Sequence, residues 1–242
     1  MVKRACVVSV PVSLGAASAR TTRTGGGAKA GRVARVVAWC LAAALLGGWT
    51  QHAAAPAPPG GKPARGKLLV AARQIGDPGF SQTVVLLLDY DQDGGAMGVV
   101  VNQPTPIKLG TVLPDIRSLG RRPDRLWRGG PVLPTSLLVL VRSKKPVDGS
   151  EVVFEDVRML TSRDSVRHVL EGELPRSRLR AYAGHAGWGP GQLEAEIARG
   201  DWIVMPAKAE QVFTEAPEGV WPGLVEHGEG QWTLLRRPRA AS

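Results

Sequence analysis

Every Asp and Glu of this 242-residue chain lies beyond residue 66. The first 66 residues carry nine cations (Lys3, Arg4, Arg20, Arg23, Lys29, Arg32, Arg35, Lys62 and Arg65) and no anion. A soluble domain covers its apolar core with charges of both signs, so this break confines the folded part to residues 67–242. That part holds the other 22 cations and all 21 anions, a net charge of +1 against +10 for the whole chain. The basic balance therefore belongs to the leader and says little about what the domain binds. Both cysteines, Cys6 and Cys40, also precede residue 67. That excludes a disulfide framework, a thiol nucleophile and a thiolate zinc site from the domain. The remaining length suits one domain with its own core.

Residues 1–55 read as a targeting leader and residues 56–66 as a Pro/Gly linker. Arg32 and Arg35 precede the apolar run VVAWCLAAALLGGW (36–49), and Ala53-Ala54-Ala55 supplies a small-residue cleavage site before Pro56. A basic flank, a short apolar run and such a site describe an export signal. The run is short of the roughly 20 apolar residues of a membrane span, so no integral membrane domain is expected. Two alternatives stay open: an organelle-type targeting peptide, or a start assigned too early. Export implies a periplasmic protein; an early start implies a cytoplasmic one.

Within 67–242, short apolar runs are punctuated by Gly and Pro. Residues 67–73 (KLLVAAR), 83–90 (TVVLLLDY), 96–101 (AMGVVV), 126–128, 136–141 (SLLVLV), 179–183 and 202–205 read as strands, with 152–160 a weaker one. Asp91-Gln92-Asp93-Gly94-Gly95 closes a hairpin, and Pro104 is expected to end pairing. A helical turn is expected at 109–113 and a basic loop at 117–125. Thr161 and Asp164 suggest a capped helix start, and PGQLEAEIARG (190–200) reads as a helix from Pro to Gly. Residues 184–189 are expected to form a glycine loop, and the tail from Glu215 is anchored by Trp221, Leu224 and Trp232. Strands and helices intermingle without strict alternation, which indicates an α+β or mixed-sheet fold.

The densest chemical signal is GHAGWGPGQLE (184–194), where a strand, glycines and a helix start meet. Free N–H groups there could hold an anion. No Lys-Ser/Thr follows the glycines, and Gln192 stands where a dinucleotide fingerprint needs a small residue. The competing reading is structural: the glycines let the chain turn and let Trp188 fold onto the core. His185 adjoins this segment, while His168 and His227 are scattered, which makes a poor metal set. No G-x-S-x-G elbow supports a serine hydrolase. Asp89-Tyr90-Asp91-Gln92-Asp93-Gly94 resembles the start of a calcium loop but lacks its terminal Glu, since Val100 stands there. Neither a metal nor a cofactor is called for. Arg117, Arg121, Arg122, Arg125 and Arg128 form the basic cluster of the domain, with Trp127 as the one aromatic among them.

Three blocks together resemble the AlgH/YqgE family: DPGFSQTVVLLLDYDQDGGAMGVVVNQP (77–104), RGGPV (128–132) and GHAGWGPGQLEAEIARGDWIVMPA (184–207). The resemblance covers about residues 67–214, with a tail toward Trp232. It implies a bacterial family with plant relatives. It also implies a single compact α+β domain on a mixed, barrel-like β-sheet with flanking helices. The family has no agreed catalytic residues, and some members carry a transcriptional-regulator label. Its pattern picks out Asp77, Pro78 and Phe80; Gly98, Asn102 and Pro104; Gly129, Gly130 and Pro131; and Gly187, Trp188, Pro190, Gly191, Gln192 and Glu194. Two departures stand out. Members commonly have Tyr or another residue where His185 stands, and most lack an export leader.

The expected function is a non-enzymatic binding or regulatory module for a small ligand or a protein. Asp77, Asn102, Gly129, Gly130, Pro131, Gly184, His185, Gly187, Trp188, Gly189, Gln192 and Glu194 form the candidate surface, in a groove at strand ends. The alternatives are a hydrolase using His185 with a carboxylate, and nucleic-acid binding through the Arg117 to Arg128 cluster.

Overall fold

The computed structural model describes residues 61–172, 175 and 178–235. The leader, the linker before residue 61, and Arg236, Arg237 and Arg239 lie outside the described residues. Ten strands build one curled sheet, a half-barrel. Its main path begins with β10 (Trp202–Pro206), β1 (Lys67–Ala71), β2 (Val84–Asp91) and β3 (Gly95–Val100). It continues through β9 (Leu179–Trp188), β6 (Val132–Arg142), β8 (Val157–Leu160) and β7 (Ser150–Phe154). Off this path, β4 (Pro104–Lys108) pairs with β5 (Arg125–Arg128), which runs parallel to β9. All other pairings are antiparallel. Among the described residues five α-helices flank the sheet: α1 (Leu109–Val112), α2 (Arg163–Glu171), α3 (Gln192–Arg199), α4 (Ala209–Val212) and α5 (Val220–Leu235).

The strands read as continuous apolar runs because both faces of the sheet are covered. On the concave face, Leu68, Val70, Val84, Leu86, Leu88, Val99, Leu138, Leu140 and Tyr182 form one core with Phe213 and Val225. The alternate residues face outward into two separate clusters. Leu137, Val139, Val141 and Ala181 pack under α1 and α2. Leu69, Ala71, Val85, Leu87, Ala186 and Trp188 pack under α3.

Several expectations are corrected. The glycine loop at 184–189 is the second half of β9, because its backbone still has ladder partners: Ala186 opposite Gly98, Gly187 opposite Met97 and Trp188 opposite Ala96. Pro104 starts an exposed strand, β4, instead of ending pairing; its missing N–H costs nothing at a sheet edge. The single weak strand at 152–160 is a hairpin, turned by Glu155 at φ 43°. Ser162, not Thr161, caps α2, exchanging bonds with Ser165. The tail, to which the sequence assigned no element, contains a 16-residue helix, α5, with Pro222 in its first turn where no intrahelical donor is needed. The 91–95 turn does close the β2–β3 hairpin as expected, and Asp91 Oδ1 accepts from the Asp93 and Gly94 amides.

One device joins the two outer clusters. Gly184 sits at φ +68° and shifts the phase of β9, so Ala181 and Ala183 serve the α2 side while Ala186 and Trp188 serve the α3 side. At the same place Gly129 crosses the strand so closely that a Cβ there would collide with the Gly184 carbonyl oxygen. The crossing is tied by Gly129 N–H to Ala183 O at 2.8 Å and Val100 N–H to Gly129 O at 2.8 Å.

Candidate functional site

The expected surface divides into two structural places and one cleft. Asn102 is a staple. Its Oδ1 accepts from Val84 N–H at 2.9 Å and its Nδ2 donates to Gln82 O at 2.9 Å, holding the entry to β2. Gly129 and Gly184 form the backbone crossing described above, Gly130 at φ +154° lies against the His185 backbone where a Cβ would not fit, and Pro131 is exposed just ahead of β6. His185 lies opposite Val132 on β9 and is 8% exposed. Alternation from Ala186 directs it to the concave side, away from α3. Burial pushes its pKa below the ordinary value. Its Nδ1 is buried without a hydrogen-bond partner, so the His–carboxylate pair of a hydrolase is not formed.

Asp77, Gly187, Trp188 and Gln192 do come together. They line a cleft of about 260 Å³ with Ile75, Gly76, Phe80, Glu196, Arg199, Asp201 and Trp202. The cleft lies between the turn after β1 and the start of α3. Local chemistry fixes both walls. Asp77 Oδ1 accepts from Gly79 N–H at 2.7 Å and caps the 3₁₀ turn Pro78–Phe80. On the other side, Gln192 Oε1 accepts from Gly189 N–H at 3.1 Å, satisfying a donor just ahead of α3.

The floor is aromatic. Phe80 stacks on Trp188 with centroids 6.2 Å apart and meets Trp202 edge-on at 5.5 Å; the two indoles are 5.9 Å apart. Glu196 binds the pair: its Oε2 accepts from Trp188 Nε1 and Trp202 Nε1, each at 2.8 Å. Its Oε1 accepts from Gln192 Nε2 at 2.9 Å. Such charge-assisted bonds to buried donors are strong and directional. Arg199 and Asp201 pair at the rim at 2.7 Å. Glu194 faces elsewhere, accepting from the Tyr90 hydroxyl at 2.7 Å; that bond, with burial, pushes the tyrosine pKa up to about 12.

Glu196 and Trp202 were not among the expected site residues, whereas Phe80 is one of those the family pattern picks out. A signal was present: Gln192 and Glu196 are four apart on one helix face. Their joining to Trp202 needed the tight turn at Gly200 that leads α3 into β10. The basic cluster is partly committed to structure. Arg122 pairs with Asp124 at 2.6 Å, and Trp127 is 7% exposed beneath the Arg180 guanidinium, 4.8 Å from its ring centre. Trp127 therefore offers no stacking face to a base.

Comparison with known proteins follows the same blocks. Residues 68–233 match the family model described as DUF179, AlgH-like. The chain belongs to the AlgH-like family. Its AlgH-like part is 37% identical over 175 residues to a UPF0301 protein of Streptomyces avermitilis, covering 70% of this chain and 89% of the relative. It is 38% identical over 163 residues to one from Xanthomonas axonopodis pv. citri, covering 66% and 86%. Among solved structures it is similar to the solution structure of the AlgH protein from Pseudomonas aeruginosa (TM-score 0.57, 27% identity, 73% of this chain and 95% of that one). It is also similar to the crystal structure of protein DIP2367 from Corynebacterium diphtheriae (TM-score 0.60, 26% identity, 69% and 88%). The expected α+β domain on a barrel-like sheet is met, the sheet being a curled half-barrel shared with these AlgH-like structures. Among the described residues no helix is long and apolar enough to cross a membrane.

Proposed function

We propose that this AlgH-like chain is a non-enzymatic binding module whose ligand enters the cleft between the 75–80 turn and α3. The observation that carries the reading is Glu196 holding two buried indoles under an open cleft. A carboxylate spent on two tryptophan N–H groups makes a rigid aromatic floor, and rigid floors bind without an ordering cost. The cleft is smaller than the usual 300–1,000 Å³ of a drug-sized site. It suits one small group: a compact metabolite, or a single side chain of a protein partner. The ligand would set an apolar face on Phe80 and Trp188 and turn hydrogen-bond donors toward Asp77 and Asp201. A regulatory role would act through that occupancy.

The test is an NMR titration of the full chain with amino acids, amines, nucleosides and short peptides. Indole N–H signals of Trp188 and Trp202 are expected to shift together with the amides of 187–192. A Cβ at Gly76 meets nothing within 4 Å, so Gly76→Leu can fill the mouth without disturbing the fold. It is expected to abolish the shifts. Shifts that persist in that variant, or none with any probe, would refute the reading.

A further inference from the structure

A second cleft, of about 550 Å³, lies among the end of β6, the following loop, the β7–β8 turn and the approach to β9. Arg142, Ser143, Lys144, Lys145, Asp156 and Arg178 line it. It shares no residue with the aromatic cleft or with the Arg117 to Arg128 cluster. Four cations face one carboxylate there.

Three of those cations are uncompensated, unlike the paired arginines elsewhere on the surface. Arg65, Arg122, Arg167 and Arg199 each have a carboxylate partner. Lys144, Lys145 and Arg178 are exposed and form no ion pair among the described residues. Arg142 is held rigid instead: its Nε donates to Asp156 Oδ2 at 2.8 Å and its Nη2 to Glu210 Oε1 at 2.9 Å. The lysine loop is stapled too. Ser143 N–H donates to Asp156 O at 2.7 Å, the Ser143 hydroxyl donates to Lys145 O at 2.9 Å, and Arg158 Nε donates to Ser143 O at 3.4 Å. The backbone under both lysines is thus fixed by three bonds. Like charges converging on a concave surface repel one another until an anion lies between them.

We propose that this cleft binds a small phosphorylated molecule through its phosphate groups, with Lys144, Lys145 and Arg178 as the charge contacts. Asp156 acts as the positioning residue for Arg142. Three uncompensated cations match a di- or triphosphate better than a single phosphate. The volume falls within the range of small-molecule sites and leaves room for one organic group beside the phosphates. A nucleoside diphosphate has that size and charge.

The test is calorimetric titration of the full chain with pyrophosphate and with ADP at low and moderate salt. Saturable binding of both is expected, with ADP at least as tight as pyrophosphate. Lys144→Ala/Lys145→Ala is expected to weaken it about tenfold or more, by loss of charge-assisted contacts. Arg178→Ala should weaken it further. All three side chains are exposed, so these variants keep the fold, which circular dichroism checks. Trp188 and Trp202 indole signals should stay still, separating this site from the aromatic cleft. Three results would overturn the proposal: no binding of either probe at low salt, equal binding by the triple variant, or oligonucleotide binding that neither probe displaces.

Discussion

Removing the Glu196 carboxylate tests the central claim about the aromatic cleft. In Glu196→Ala, two indole donors lose their acceptor. Trp188 is 7% exposed and Trp202 is 2% exposed, so bulk water reaches neither ring freely. An orphaned buried donor costs about 1–3 kcal/mol, and bonds to a charged acceptor sit at the upper end. The adjoining cleft can admit water to one of the two donors, which lowers the sum. Relief of the carboxylate's own desolvation lowers it again. The expected loss is about 2–4 kcal/mol. At about 2–4 °C per kcal/mol for a domain of this size, the melting temperature falls by about 4–16 °C. Glu196→Gln keeps one acceptor oxygen for the indoles but loses charge assistance and sets its amide NH2 against Gln192 Nε2, so about 1–2 kcal/mol is expected, less than for Glu196→Ala. Urea unfolding followed by tryptophan fluorescence reads both variants. A cycle with Trp202→Phe isolates the coupling, since the phenylalanine has no donor to orphan. If Glu196→Ala costs under about 0.5 kcal/mol, or Glu196→Gln costs as much as Glu196→Ala, the carboxylate does not hold the floor.

Other expectations follow from the same contacts. Gly129→Ala drives a Cβ into the Gly184 carbonyl, so a loss of about 3 kcal/mol or failure to accumulate folded protein is expected. Gly120→Ala, whose Cβ meets nothing within 4 Å, should be near neutral in the same denaturation assay. His185 is buried with its pKa lowered, so the unfolded chain takes up its proton more readily. Its contribution is intact above pH about 6.5 and is lost as pH falls through the lowered folded value. Wild type should therefore lose more stability between pH 7 and 5 than His185→Gln; parallel curves would refute this. The chain has two tyrosines, Tyr90 raised to about 12 by Glu194 and Tyr182 raised further by complete burial. An absorbance titration should show neither ionising near pH 10, and Glu194→Gln should bring one of them down toward it.

Local pattern carried the elements whose periodicity stands alone. The run 83–90 is β2 and the turn 91–95 is its hairpin, because β-branched residues and Asp-Gly impose those shapes without help. Helix α3 ends at Gly200 in the left-handed region, as its Gly placement requires. The second half of β9 and helix α5 were not legible. Glycine is a poor former of either, and in both cases tertiary contacts override that preference. Gly187 stays in the ladder because β3 lies alongside it, and α5 is docked by Trp221 Nε1 donating to Ala71 O at 2.7 Å.

The candidate site divides in the same way. Asp77, Gly187, Trp188 and Gln192 could be named from sequence because turns and helix starts demand particular residue types. That they share one cleft, while Asn102, Gly129, Gly130, Pro131, Gly184 and His185 do not, depended on distant pairings. Glu196 meets Trp202 because α3 and β10 are joined by a tight turn at Gly200. Trp188 completes the set because the Gly184 bulge shifts the phase of β9. The basic cleft joins Lys144, Asp156 and Arg178 only because β6, β8 and β9 are neighbours in the sheet. Composition alone marked off the acid-free first 66 residues, since the signs of the charges can be read in any stretch of chain. Which polar groups face one another was decided by strand order and one bulge, and neither is written in any local window of sequence.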